Sequence, residues 1–191
     1  MTAEERLAAF RAAAPDLFQN LVQRHVTYGD CYALTADEYF ALKQEVGRQF
    51  HVHPNQVVVV GSAKLGFSIA PGKRYRAFGE TSDIDVAFCS SELFDAIWRD
   101  LYDYWRRGGP WLQLGDFRKY LFRGWMRSDK LPPENSSVRS QEWWEFFRKI
   151  TASGRFGRYA IAGALYKDWY FLETYQSRCV EDCQHQETGN P

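Results

Sequence analysis

The 191-residue chain predicts a single domain of mixed α/β (α+β) class, with a small sheet flanked by helices. Three observations lead there. Val57 to Val60 is a short, wholly apolar run with the character of a strand buried on both faces. Ile84 to Phe88 is a second such run. Around them lie segments whose apolar residues recur at helical spacing behind recognisable start signals. Apolar residues make up 45% of the chain and aromatics 17%, enough for a sizeable core.

The elements follow in order. The region from about 1 to 53 reads as helical. Thr2 and Glu5 have capping-box spacing ahead of Leu7 and Phe10. A short second helix is expected after Pro15. Thr35 and Glu38 repeat the capping-box signal, and Tyr39, Leu42 and Val46 continue at helical spacing until the break at Pro54. After the valine strand, Pro71-Gly72 and Gly79 signal turns, so a hairpin or long loop should connect to the second strand. Ser90 or Ser91 can cap a helix with Leu93, Ile97, Leu101 and Tyr104 on one face, ended by Gly108-Gly109-Pro110. A further helix is expected near Asp116 to Arg127, stopped by Pro132-Pro133. On it Lys119, Arg123 and Arg127 would form a stripe, a solvated face or a groove for polyanions. Ser140 can cap a helix bearing Trp143, Phe147 and Ile150. Tyr159 to Tyr166 reads as a strand, and Trp169, Leu172 and Cys179 fit a last helix that frays after about Cys183. Trp143, Trp144 and Trp169 are expected in the core or an interface.

Two carboxylates break the pattern. Asp83 and Asp85 stand one residue apart at the second strand, so both project from one face. Neighbouring carboxylates repel each other unless a cation sits between them. Hard divalent cations take oxygen ligands, often one or two carboxylates plus substrate phosphates. Gly61-Ser62 directly after the valine strand suits the same chemistry: glycine allows close backbone approach to a phosphate, and a serine hydroxyl can hold an anionic oxygen. Read alone, Gly61-Ser62 is an ordinary tight turn and Asp83/Asp85 a solvated strand end. Together they are a far more specific signal. Lys64, Lys73, Arg74 and Arg76 add positive charge in the spacer.

The valine strand, Gly61-Ser62 and Ser82-Asp83-Ile84-Asp85-Val86 resemble the signature of the DNA polymerase β-like nucleotidyltransferase superfamily. The spacer, with Gly66-Phe67-Ser68 and Lys73 to Arg76, is similar to that of small bacterial proteins of this type. The resemblance covers about residues 57 to 90, and weaker similarity extends to Arg123-Gly124-Trp125, Lys130-Leu131-Pro132 and Tyr166-Lys167-Asp168-Trp169. It implies a small mixed sheet and a Mg²⁺- (or Mn²⁺-) dependent transfer of a nucleoside monophosphate from an NTP to an acceptor hydroxyl. Asp83 and Asp85 would bind the metal. Gly61, Ser62, Lys64 and Ser82 would contact the nucleotide. Asp168, at the exit of the Tyr159 to Tyr166 strand, is the candidate third carboxylate, as ligand or base. The spacer from Ser62 to Asp83 is longer than in many members of the superfamily. Proteins that it resembles modify RNA, proteins or small molecules, or make nucleotide messengers, many in toxin–antitoxin or antiviral defence systems. The alternative is a non-catalytic nucleotide-binding or antitoxin-like module of the same fold, acting through a protein partner.

Other classes receive little support. Formal net charge is zero, so affinity for a polyanion has to come from local patches. No apolar run is long enough to span a bilayer, and MTAEERLAAFRAAAP lacks an apolar signal-peptide core, so a cytoplasmic location is expected. There Cys31, Cys89, Cys179 and Cys183 would be free thiols. Cys179 and Cys183 with His185 suggest zinc only weakly, since no second ligand pair with matching spacing exists.

Overall fold

The computed structural model describes residues 1–13, 17–70, 72–133 and 137–188, with side chains other than those of 138 and 185–188. Pro15, Pro71 and the His185 side chain, each invoked above, lie outside the described residues.

Local signals and structure agree at most helix starts. Helix α1 (Ala3–Ala12) opens with the Thr2/Glu5 capping box and α3 (Ala36–Phe50) with the Thr35/Glu38 box, each pair satisfying two backbone donors. Between them, α2 (Phe18–Val22) runs into a π-helical turn over Gln23–Thr27. Strand β1 (Val57–Val60) passes directly into a short helix, α4 (Gly61–Leu65). The spacer then forms a small hairpin, bridged between Phe67 and Ala77, before β2 (Ile84–Cys89). Ser90 caps α5 (Ser91–Arg106). Beyond it come α6 (Leu114–Phe122), β3 (Trp125–Arg127), α7 (Val138–Ala152), β4 (Ile161–Tyr166) and α8 (Trp169–Thr188).

Three expectations are corrected. The helix anticipated over 116 to 127 stops at Phe122. Gly124 turns the chain at φ +75°, and Trp125 and Met126 bury themselves as β3 instead. The proposed Lys119/Arg123/Arg127 stripe therefore does not form, because Arg127 sits on a strand. In α7 the cap is Ser137, whose Oγ accepts from the Ser140 backbone N–H, and Ser140 itself is buried inside the first turn. Helix α8 continues to Thr188, with Val180 and Cys183 buried in the same apolar cluster as Phe10 and Leu21 of the N-terminal helices. Tertiary burial outweighs the polar composition there.

The four strands form one mixed sheet in the order β1-β2-β4-β3. β1 is antiparallel to β2, β2 parallel to β4, and β3 antiparallel to β4. Strand alternation then divides the core in two. Val57, Val59, Ile84, Val86, Phe88, Ile161 and Leu165 face α3, α5 and α7, where Trp143, Phe147 and Phe50 fill the space. Gly163 on that face lacks a Cβ where the Phe147 ring presses in. Val58, Val60, Ala87, Cys89, Trp125 and Tyr166 belong to the other face, covered by α1, α2 and α8. The result is a helix–sheet–helix sandwich. Among the described residues no helix is long and apolar enough to cross a membrane.

Candidate functional site

The register of β1 on β2 builds the site. Val60 lies opposite Asp85, so the next residue, Gly61, arrives beside the Asp85 carboxylate. Gly61 adopts φ +67°, and a Cβ placed there would sit 3.5 Å from Asp85 Oδ2. Glycine thus serves two needs here: the left-handed turn into α4 and an unobstructed approach to the acid. Asp85 projects from the second sheet face, in line with Ala87 and Cys89. Asp83 precedes the strand on the same side. Just upstream, the Ser82 hydroxyl accepts from Gly79 N–H at 3.1 Å and closes the turn that delivers Asp83.

These residues line a cleft of about 520 Å³. Gly61, Ser62, Ser82, Asp83 and Asp85 all contribute to it. Lys73 and Arg76 come from the spacer hairpin, Arg127 and Asp129 from β3 and the turn after it, and Tyr175, Gln176 and Cys179 from α8. Solvent reaches the Asp85 carboxylate, yet the cleft walls surround it closely. That partial desolvation, with the neighbouring Asp83 charge, raises its pKa above the ordinary 3.8, against a downward pull from Arg127 and Lys73. Arg127 donates from Nε to Asp129 Oδ1 at 2.7 Å, and Lys130 stands 3.5 Å from the other oxygen of the same carboxylate. At the cleft wall, Trp125 is 5% exposed and stacks on Tyr166 with ring centroids 5.3 Å apart. Its Nε1–H has no hydrogen-bond partner among the described residues. A buried donor in that condition is a group that ordered water or a ligand satisfies.

Two of the sequence-predicted site residues lie elsewhere. Asp168 does not join the aspartate pair. Asp85 is in register with Ala162, whereas Asp168 lies past Tyr166, the far end of β4, roughly 13 Å further along. There its Oδ1 accepts from Phe171 N–H at 3.3 Å, an N-cap for α8. Because β2 and β4 are parallel, an acid at the exit of β4 is carried away from one at the start of β2. Lys64 likewise turns away from the cleft. It is 1% exposed, donates from Nζ to the Gly29 carbonyl at 2.7 Å, and lies 5.1 Å from the Tyr39 ring centroid. Among the described residues no three His, Cys, Asp or Glu side chains gather as a metal-holding group. Trp125 and Arg127 reach the cleft from β3, where a helix over 116 to 127 is expected from sequence; Asp129 follows in the next turn, and Tyr175 comes from α8, remote in sequence from the rest of the lining. Gly124 before an apolar pair was the available signal.

Burial lowers the Lys64 pKa from 10.5 to about 8, with Cys31 and Asp30 opposing. The folded protein therefore releases this proton before the unfolded chain does, and the Lys64 contribution to stability grows as pH rises from about 8 to about 10.5. Buried thiols such as Cys31 pull the other way, so the comparison has to be made between proteins at each pH. Lys64→Met keeps the volume, and the exposed Gly29 carbonyl can turn to water. The variant is expected to be more stable than the parent at pH 7 by about 1–3 kcal/mol, with the advantage shrinking above pH 8. Urea denaturation of both proteins across pH 7 to 10 measures this; an unchanged difference across the range refutes it.

Comparison of the chain with family models, curated proteins and solved structures finds no match.

Proposed function

We propose that the cleft binds a nucleoside triphosphate with Mg²⁺ or Mn²⁺ and transfers its nucleoside monophosphate to an acceptor hydroxyl, as the polymerase β-like resemblance implies. The observation that carries this reading is the register-enforced meeting of Gly61-Ser62 with Asp83 and Asp85, in a cleft whose walls bring Lys73, Arg76 and Arg127. The donor set suits a hard cation: two carboxylates sharing a face, serine hydroxyls in the same lining, and a mutual repulsion that a cation relieves. When bound, the ion would polarise and neutralise phosphate oxygens. Asp83 and Asp85 would hold it, Gly61 would leave the approach open, and Ser62 would donate to a phosphate oxygen. Lys73 and Arg76 would take over the phosphate-neutralising role expected of Lys64. In the transfer, the acceptor oxygen bonds to the α-phosphorus, the bond from that phosphorus to pyrophosphate breaks, and the acceptor proton passes to a cleft carboxylate or water.

A specific observation favours the second reading, a nucleotide-binding module without turnover. The residue of β4 in register with Asp85 is Ala162, and Asp129, the other acid of the lining, is engaged by Arg127 and Lys130. Incubation with each labelled NTP and dNTP plus Mg²⁺ or Mn²⁺, followed by product mass analysis and metal-dependent binding measurements, separates them. Transfer products support the enzyme, binding without product supports the module, and absence of both rejects the cleft as a nucleotide site.

The Gly-Ser turn gives a sharper expectation. Gly61→Val forces a β-branched residue into the left-handed region and places carbon against Asp85, so nucleotide affinity should fall at least tenfold. Ser62→Ala removes one hydroxyl contact, about 1 kcal/mol. Equal losses in the two variants, measured by calorimetric titration, would mean that the phosphates bind elsewhere.

A further inference from the structure

The spacer between Ser62 and Asp83 turns on one strained residue. Tyr75 adopts φ +56°, a left-handed conformation that bulky side chains rarely take. Its N–H donates to the Ser68 carbonyl at 2.8 Å, and the Ser68 N–H donates to the Arg76 carbonyl at 2.9 Å. Tyr75 and Arg76 therefore face a single residue, Ser68, in a bulge whose first position ordinarily falls to glycine. Tyr75 is also third in the tight turn that the Arg76 N–H closes on the Lys73 carbonyl at 3.0 Å, again a place for glycine or asparagine. Glycine would hold this backbone without strain. Strain of this kind persists where the surroundings enforce it, and it gathers at functional sites.

The ring of Tyr75 shows what enforces it. The Arg11 guanidinium of α1 lies 4.5 Å from the ring centroid and the Arg74 guanidinium 4.8 Å. Phe67 stands edge-on at 6.1 Å, and Phe67 in turn meets Phe10 of α1. The ring thus ties the spacer hairpin to the N-terminal helix. Lys73 and Arg76, two residues before it and one after, line the cleft instead. A bulge re-aims neighbouring side chains in this way. Charge makes that placement matter. The lining holds Asp83, Asp85 and Asp129 against Lys73, Arg76 and Arg127, and Arg127 is already bonded to Asp129. The two spacer cations are what offsets the aspartate pair for an incoming anion. We propose that Tyr75 is a positioning residue, a strained pin that fastens the spacer to α1 and fixes Lys73 and Arg76 where polyphosphate binds. This role rests on the nucleotide reading of the cleft.

Tyr75→Gly keeps the backbone conformation and removes the pin, whereas Tyr75→Phe keeps a ring between the guanidiniums. Two measurements on the full chain separate the pin from the cleft. Without ligand, hydrogen exchange at Ser68, Arg76 and Phe78, whose amides donate within the hairpin, should quicken at least tenfold in Tyr75→Gly and stay at the parent rate in Tyr75→Phe. In calorimetric titration with inorganic tripolyphosphate and Mg²⁺, Tyr75→Gly should bind at least tenfold more weakly and Tyr75→Phe like the parent. Lys73→Gln combined with Arg76→Gln should lose a comparable amount, and adding Tyr75→Gly to that pair should cost less than about twofold more. Such non-additivity distinguishes positioning from general support of the fold. Unchanged exchange in Tyr75→Gly overturns the pin. Parent-like affinity in Tyr75→Gly, or a full further loss on top of the double substitution, overturns the positioning role. A parent that binds no tripolyphosphate rejects the nucleotide reading and the positioning role with it, while the exchange rates still decide the pin.

Discussion

Asp85→Asn is expected to abolish metal-dependent nucleotide binding, by a hundredfold or more, while raising the thermal stability of the protein without ligand. Both effects have one cause. The Asp85 carboxylate is held beside Asp83 and partly desolvated by the cleft, so its charged form is disfavoured and its pKa raised. A carboxyl whose folded pKa lies above the unfolded value stabilises the fold most below the unfolded value and loses that contribution as pH climbs through the folded one. At neutral pH, therefore, the parent carries an unfavourable ionised group that asparagine lacks. The gain in melting temperature should vanish toward pH 3.8 and below, where Asp85 is protonated in both states. Local instability at a binding site is a common signature of function. Scanning calorimetry against pH, paired with nucleotide titration in Mg²⁺ and in chelator, measures the two effects together. A variant that binds nucleotide with the parent's metal dependence would remove Asp85 from the site, and one less stable at neutral pH would contradict the electrostatic account.

Gly124→Ala is expected to damage both fold and cleft. Gly124 ends the turn from α6 into β3 at φ +75°, and a Cβ there would overlap the Phe171 ring of α8. The left-handed conformation costs an alanine about 1–2 kcal/mol. Overpacking against a half-buried ring adds roughly 1–3 kcal/mol. A combined loss of about 2–5 kcal/mol is a large share of the 5–15 kcal/mol that stabilises a typical domain. The Gly124 carbonyl also accepts from Lys167 N–H at 2.9 Å, tying the turn to the exit of β4. Displacing it moves β3, and with it Trp125 and Arg127, which line the cleft. The expected result is a melting temperature lower by about 4–20 °C, with weakened nucleotide binding in what remains folded. A fall of less than a few degrees would show that Phe171 swings aside freely.

Much of this molecule is legible in local sequence. Capping boxes at Thr2/Glu5 and Thr35/Glu38 state where helices begin, because the donors they satisfy are within three residues. The valine run and Ile84 to Phe88 announce buried strands, and the one-residue spacing of Asp83 and Asp85 at the start of the second strand points to a shared site; both line the cleft. What stayed hidden depends on partners distant in sequence. β3 is three residues long and exists because β4 and the Tyr166 and Tyr175 rings bury Trp125. No local periodicity can reveal so short a strand, and Arg127 was read as helical for that reason. The fates of Lys64 and Asp168 were equally non-local. A basic residue two positions after a Gly-Ser turn reads as a phosphate contact, yet the rotation of α4 delivers its ammonium to Gly29. An acid at a strand exit reads as a third ligand until parallel pairing of β2 with β4 fixes which strand ends coincide. Short-range hydrogen bonding and side-chain alternation are properties of the chain; strand order, register and helix rotation are set by packing, and they decide which charged groups share the cleft.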